Sequence, residues 1–172
     1  MKNNLIENIY KNKSLAFFLS KECCENDVCV TFDVGISQDD YVVVKIDNYY
    51  NSLHLERTPA SLDCLIIREC ENGGYALTLV ELKNITSSSR FDLSNVIEKF
   101  ETCFNDFIMK RFDDTFLVDF KEIKLYFVSN IEIYKRDLGL KLEVLINTKF
   151  HYNGKRYMIE PKMPHPTIKK CY

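Results

Sequence analysis

Apolar residues along the chain recur at two periods, one helical and one alternating, and the switches between them divide it into elements. Leu5, Ile9, Leu15, Phe18 and Leu19, with Lys and Glu between them, predict a helix over residues 3–25 that Asn26-Asp27 ends. Runs from Val28 to Val34 and from Tyr41 to Ile46 predict two strands, separated by a polar turn holding Gly35, Ser37, Asp39 and Asp40. Residues 48–58 show no clear period, although Leu53-His54-Leu55 suits a short strand.

The next two runs are the clearest strands: Leu62 to Glu69, and Tyr75 to Lys83. Between them Asn72-Gly73-Gly74 supplies residues that tolerate positive φ, so the pair reads as a hairpin. After the loop from Thr86 to Arg90, an apolar stripe of Leu93, Val96, Ile97, Phe100, Cys103, Phe104, Phe107 and Ile108 predicts the strongest helix. Asp92 or Ser94 suits its start and Lys110-Arg111 its negative end. Ile123 to Val128 and Lys141 to Ile146 predict two further strands. Asn153-Gly154 predicts a terminal hairpin of 149–152 with 156–159, after which Pro161, Pro164 and Pro166 close off regular structure. The fold class is therefore α/β, a mixed sheet flanked by helices in one domain over residues 1–172.

Composition adds limits. A chain of 172 residues, 46% hydrophobic, is long enough to bury a core, and no apolar run approaches the ~20 residues of a membrane span. The start, Met1-Lys2-Asn3-Asn4-Leu5-Ile6-Glu7, lacks the apolar stretch of a signal peptide, so a cytoplasmic location is expected. Seven cysteines at irregular spacing, without a zinc-ligand pattern, suggest reduced and partly buried thiols. The formal net charge of −2 excludes a protein that coats nucleic acid through overall charge. Any nucleic-acid contact must then come from a local basic face, for which Lys155, Arg156, Lys162, Lys169 and Lys170, opposed only by Glu160, are the candidate, a solvated tail being the other reading. The histidines, His54, His151 and His165, show no metal-ligand spacing, and the tyrosines and phenylalanines read mainly as core.

Chemistry concentrates on the central hairpin. Asp63 opens its first strand and Glu81-Leu82-Lys83 closes its second, so the two acids meet at one end of the sheet. Side chains alternate, which places Glu81 and Lys83 on one face and leaves the Leu82 carbonyl nearby. Two carboxylates and an ammonium suit a Mg²⁺ site, because this hard ion needs only one or two carboxylates and keeps its waters. Ser87, Ser88, Ser89 and Arg90 are candidates for contact with a phosphate backbone. Glu98 and Lys99 lie toward the polar side of the following helix, within reach of the site, and read first as a solvated helix face.

Leu62-Asp63-Cys64-Leu65-Ile66 followed by Thr78-Leu79-Val80-Glu81-Leu82-Lys83-Asn84 resembles the core motif of the PD-(D/E)XK, or restriction-endonuclease-like, superfamily. Ser61-Leu62 stands where a proline often precedes the aspartate. The resemblance spans about residues 3–130, in the order helix, three strands, helix, strand, with 131–172 as an extension. It implies Asp63 and Glu81 as ligands of Mg²⁺ or Mn²⁺ together with the Leu82 carbonyl, and Lys83 as the catalytic lysine. A further acid on the first helix is implied too, with Glu22 favoured over Glu25 and Glu7. The expected function is a nuclease acting on DNA, of restriction, repair or defence type, working as a homodimer. The alternative is an inactive nuclease-like fold serving as a scaffold subunit.

Overall fold

The computed structural model describes residues 4–172, and the predicted helix start at residue 3 lies outside them. Helix α1 (Leu5–Lys11) is capped by Asn4, whose side chain accepts from the Glu7 N–H, and it buries Leu5, Ile6 and Ile9. It is far shorter than its apolar pattern predicts. Asn12 ends it, accepting from the Ser14 N–H while its amide reaches Thr115, and a 3₁₀ turn follows at Ala16–Phe18. What reads as the rest of that helix is strand: β1 (Leu19–Ser20) and β2 (Cys23–Glu25). Pairing with distant strands overrides the local period there.

The remaining elements are β3 (Val28–Phe32), β4 (Tyr41–Lys45), α2 (Ile46–Ser52), β5 (Cys64–Glu69), β6 (Tyr75–Lys83), α3 (Leu93–Thr102), β7 (Phe120–Ser129), α4 (Ile131–Asn147), β8 (Lys149–Tyr152), β9 (Lys155–Lys162) and β10 (Thr167–Ile168). Helix α3 runs on into a π-helical segment, Cys103–Arg111, that keeps Cys103, Phe104, Phe107 and Ile108 buried. Its start is capped by Asp92, as expected. Seven strands form one mixed sheet in the order β1-β4-β5-β6-β7-β9-β8, and β10-β3-β2 form a second. Strands β4, β5 and β6 are antiparallel to one another, while β7 lies parallel to β6 and β9 parallel to β7.

Two hairpins match the sequence reading. The β5–β6 turn places Gly73 and Gly74 both at φ 78°, a conformation that a Cβ disfavours. The β8–β9 turn uses Asn153 and Gly154 at φ 47° and 73°. Three readings do not survive. Lys141–Ile146 lies inside α4 and not in a strand, because Ile131, Tyr134, Leu142 and Leu145 form one buried helical stripe. Residues 46–52 form α2, so Leu53-His54-Leu55 makes no strand. Beyond the prolines, β10 still pairs with β3 in parallel.

The two faces of the large sheet are covered differently. Leu65, Ile67, Leu77 and Leu79 pack with α1, α3 and their neighbours in the main core. Cys64, Ile66, Val80 and Leu82 face the small sheet, packing with Val28, Val30 and Ile168. The cysteines depart from the expected reduced state. Cys23–Cys64, Cys24–Cys29 and Cys70–Cys171 are disulfides, and only Cys103 is free, buried in the core. Long-range register brings these sulfurs together: Cys24 and Cys29 are direct cross-strand partners, and Cys70 and Cys171 lie 101 positions apart. Among the described residues no helix is long and apolar enough to cross a membrane.

Candidate metal centre

Asp63 immediately precedes β5, and Glu81 and Lys83 close β6. The register Cys64↔Val80 extends by one step to set Asp63 beside Glu81. By alternation all three side chains leave the sheet on the helical side, while Leu82 points to the small sheet. The Lys83 ammonium lies 3.5 Å from Glu81 Oε1. Asp63 Oδ2 accepts a 2.6 Å hydrogen bond from the Leu82 N–H. Leu82 thus touches the acid through its amide, whereas the sequence pointed to its carbonyl.

Both acids are buried: Asp63 is 5% exposed and Glu81 is 0% exposed. Burial, then the neighbouring Glu81 carboxylate, pushes the Asp63 carboxyl up to about 9, against the pull of the Leu82 N–H. Burial also pushes Glu81 up, opposed by the ammonium groups of Lys99 and Lys83. Glu81 Oε2 is buried with no hydrogen-bond partner. A buried carboxylate oxygen without a partner is costly.

Lys99 belongs to this centre, contrary to its reading as part of a solvated face. Its Nζ lies 2.6 Å from Glu81 Oε1, and its side chain is only 16% exposed. Burial works against its charge, yet the Glu81 carboxylate holds it above its ordinary value. The helical period placed Lys99 on the polar flank of α3; packing of α3 over the end of β6 turned that flank onto Glu81. Glu98 is exposed.

Two more acids border the centre. Asp47, in the first turn of α2, donates its backbone N–H to the Leu62 carbonyl at 3.0 Å, next to Asp63. Its Oδ1 is buried without a partner. Burial raises its carboxyl, and the charges of Lys45, Glu25 and Lys99 act on it. Glu25, at the end of β2, acts on Asp63, Asp47 and Lys99 alike. The favoured further acid, Glu22, is exposed between β1 and β2, where its N–H donates to Ser20 Oγ, and it is not on a helix. Nothing in the periodicity separates Glu25 from Glu22. The β2–β3 reversal is held by Asn84 Nδ2 donating to the Asn26 carbonyl, and Glu25 beside it is exposed.

Supports come from β7 and α4. Ser129, the partner of Lys83 in the parallel register, donates to the Lys83 carbonyl at 2.6 Å and contacts the Tyr134 hydroxyl at 3.2 Å. In the loop after β6, Ser88 contacts Asp137 and Ser87 contacts Ser89. Ser89, Arg90 and Lys141 share a surface depression. The C-terminal basic face is largely neutralised, since Lys162 pairs with Glu160, Lys169 with Asp33 and Lys170 with Glu71.

The donor set fits a hard divalent ion that retains waters. Among the described residues no group of three or more His, Cys, Asp or Glu stands close enough to hold a metal ion. Two carboxylates meet the demand of Mg²⁺ or Mn²⁺ when solvent and a phosphate oxygen complete the shell. Comparison with protein-family models, with curated proteins and with solved structures finds no match to this chain.

Proposed function

We propose that this protein is a divalent-metal-dependent nuclease that hydrolyses phosphodiester bonds, with DNA as the substrate. The observation that carries the reading is the buried Glu81 carboxylate, whose Oε2 has no partner although Lys83 and Lys99 crowd its Oε1. An ordinary scaffold gains nothing from burying two acids and an unsatisfied oxygen at a sheet end. Asp63 and Glu81 would hold Mg²⁺ or Mn²⁺, together with the Leu82 carbonyl. Such an ion polarises the phosphodiester and lowers the pKa of a bound water.

The chain's own groups supply the rest. The Lys83 ammonium, 35% exposed and 3.5 Å from Glu81 Oε1, would orient the water and meet charge developing on the phosphate, while Ser129 bonds the Lys83 backbone carbonyl. The Leu82 N–H holds Asp63 in register. Arg90 and Lys141 with Ser89, in a depression that Asp92 also lines, offer a surface for a phosphate backbone. The element order also supports a restriction-endonuclease-like reading. Helix α1, antiparallel β4-β5-β6, α3 and parallel β7 follow its expected sequence, with β1–β3 inserted before β4 and α2 after it.

The test is digestion of a panel of single- and double-stranded DNA and RNA with Mg²⁺ or Mn²⁺. Cleavage by the wild type, lost on chelation and in Lys83→Ala with the fold intact, is the expected result. Undiminished cleavage by Lys83→Ala removes the mechanism. Sedimentation alone and with duplex DNA reads the expected homodimer.

A further inference from the structure

Strand β8 ends the seven-stranded sheet and pairs with β9 alone. Its burial alternates: Phe150 and Tyr152 belong to the main core, while Lys149 and His151 are exposed. A single ladder satisfies one side of a strand, so every second residue of β8 turns its N–H and C=O to the open edge. Such an edge accepts another strand.

Apolar side chains stand exposed at both ends of this edge. After β8, Tyr152 and Asn153 share a cavity of about 350 Å³ with Met109, Leu117 and Asp119, and Leu117 is 80% exposed. Before β8, Asn147 and Thr148 share a depression with Leu140, Glu143 and Val144, and Leu140 is 76% exposed. Both hollows lie on the helical side of the sheet, because Phe116 of the first, and Leu142 and Leu145 of α4 beside the second, belong to the main core. Exposed apolar residues gathered along one edge mark an interaction surface.

Charge selects the occupant. Asp119 at the Tyr152 end and Lys149 at the other are exposed, and neither has an ion pair among the described residues. A two-fold axis normal to the sheet sets β8 antiparallel to β8 of a second copy, keeps the helical sides together and exchanges the ends. In full overlap Lys149 of one copy faces Tyr152 of the other, at the end that carries Asp119. The same rotation carries Met109 and Leu117 toward Leu140 and Val144 of the other copy. It also carries Glu143 toward Lys155, the register partner of Tyr152.

We propose that the free edge of β8 is a homodimer interface, in which two copies pair β8 antiparallel and seat Leu117 of each against Leu140 and Val144 of the other. The interface rests on the dimer half of the proposed function; metal and cleavage play no part in it.

Sedimentation velocity of the purified full chain at rising concentration tests it, with wild type, Leu117→Lys, Phe17→Lys, Lys149→Glu, Asp119→Lys and the variant combining the last two. Wild type is expected to dimerise. Leu117→Lys is expected to weaken the dimer about tenfold or more, as loss of an interface anchor does. Phe17, 89% exposed just before β1 at the far edge of the sheet, is the control, and Phe17→Lys is expected to leave the dimer unchanged. Each charge reversal is expected to weaken association and the combined variant to restore it, because the swapped pair again carries opposite signs. A monomeric wild type overturns the interface, as does undiminished association in Leu117→Lys. An equal loss in Phe17→Lys overturns it too, since it would show unspecific apolar association, and so does a combined variant no stronger than either single one. Should a charge variant fail to fold, Leu117→Lys against Phe17→Lys decides alone, both positions being largely in solvent. A dimer that cuts no nucleic acid supports the interface and sinks only the nuclease reading; a monomer that cuts overturns the interface and leaves that reading standing.

Discussion

The backbone N–H of Leu82 donates to Oδ2 of Asp63 across 2.6 Å, latching the acid that precedes β5 to the strand that carries Glu81 and Lys83. The bond fixes the separation of the two acids without using either side chain of β6. It also leaves the second oxygen of Asp63 outside that latch. The first of the two acids is thereby held by backbone.

Ion binding should stabilise the fold. At about a hundred times the dissociation constant the gain is ~2.7 kcal/mol, which for a domain of this size is about 5–10 °C in Tm. Scanning calorimetry with and without Mn²⁺ reads it. Asp63→Asn and Glu81→Gln are each expected to abolish the increase; an increase that survives in both variants would place the ion elsewhere.

The metal-free protein should lose stability as the solution becomes alkaline. Asp63 rises from an ordinary 3.8 to about 9 in the folded chain, through burial first and the Glu81 carboxylate second. An acid raised on folding contributes stability that is complete below its unfolded value and is lost as pH climbs through its folded value. Urea midpoints are therefore expected to fall between pH 5 and pH 9, and Asp63→Asn to flatten that slope. Mn²⁺ affinity should run the opposite way over the same window, since binding releases the proton. A wild-type slope matching that of Asp63→Asn would refute the assignment.

A second polar cluster, partly exposed, serves as a control. The Tyr50 hydroxyl donates to Asp106 Oδ2 at 2.7 Å, while the Arg111 guanidinium binds the same carboxylate and lies 5.2 Å from the Tyr50 ring centre. Tyr50→Phe is expected to cost about 1.5–3 kcal/mol in denaturant unfolding, the worth of a hydrogen bond to a charged group. Its Mn²⁺ affinity should match wild type, because the cluster ties α2 to the π-helical segment and shares no group with Asp63 or Glu81. A changed affinity would mean that the two clusters are coupled.

Thiol chemistry gives a direct count. With three disulfides and Cys103 as the single free thiol, labelling of the denatured, unreduced protein should find one reactive group per chain. Labelling after reduction should find seven, the number of cysteines in the chain. Seven without reductant would show the pairs to be open in solution.

The sequence by itself determined the central hairpin and the meeting of Asp63 with Glu81. Both follow from local rules: Asn72-Gly73-Gly74 can reverse the chain, and strict alternation then decides which side chains share a face. The apolar stripe of α3 and the turn at Asn153-Gly154 were legible for the same reason. Tertiary structure alone decided the rest. Lys141 to Ile146 reads as a strand yet lies in α4, because Leu142 and Leu145 join Ile131 and Tyr134 in a buried helical stripe. Lys99 reaches Glu81, and Asp47 bonds through its N–H to the Leu62 carbonyl, only because elements far apart in sequence pack onto one sheet end. Periodicity states which way a side chain leaves its own helix or strand; what it meets there depends on contacts between elements, and those are set by the packing of the whole chain.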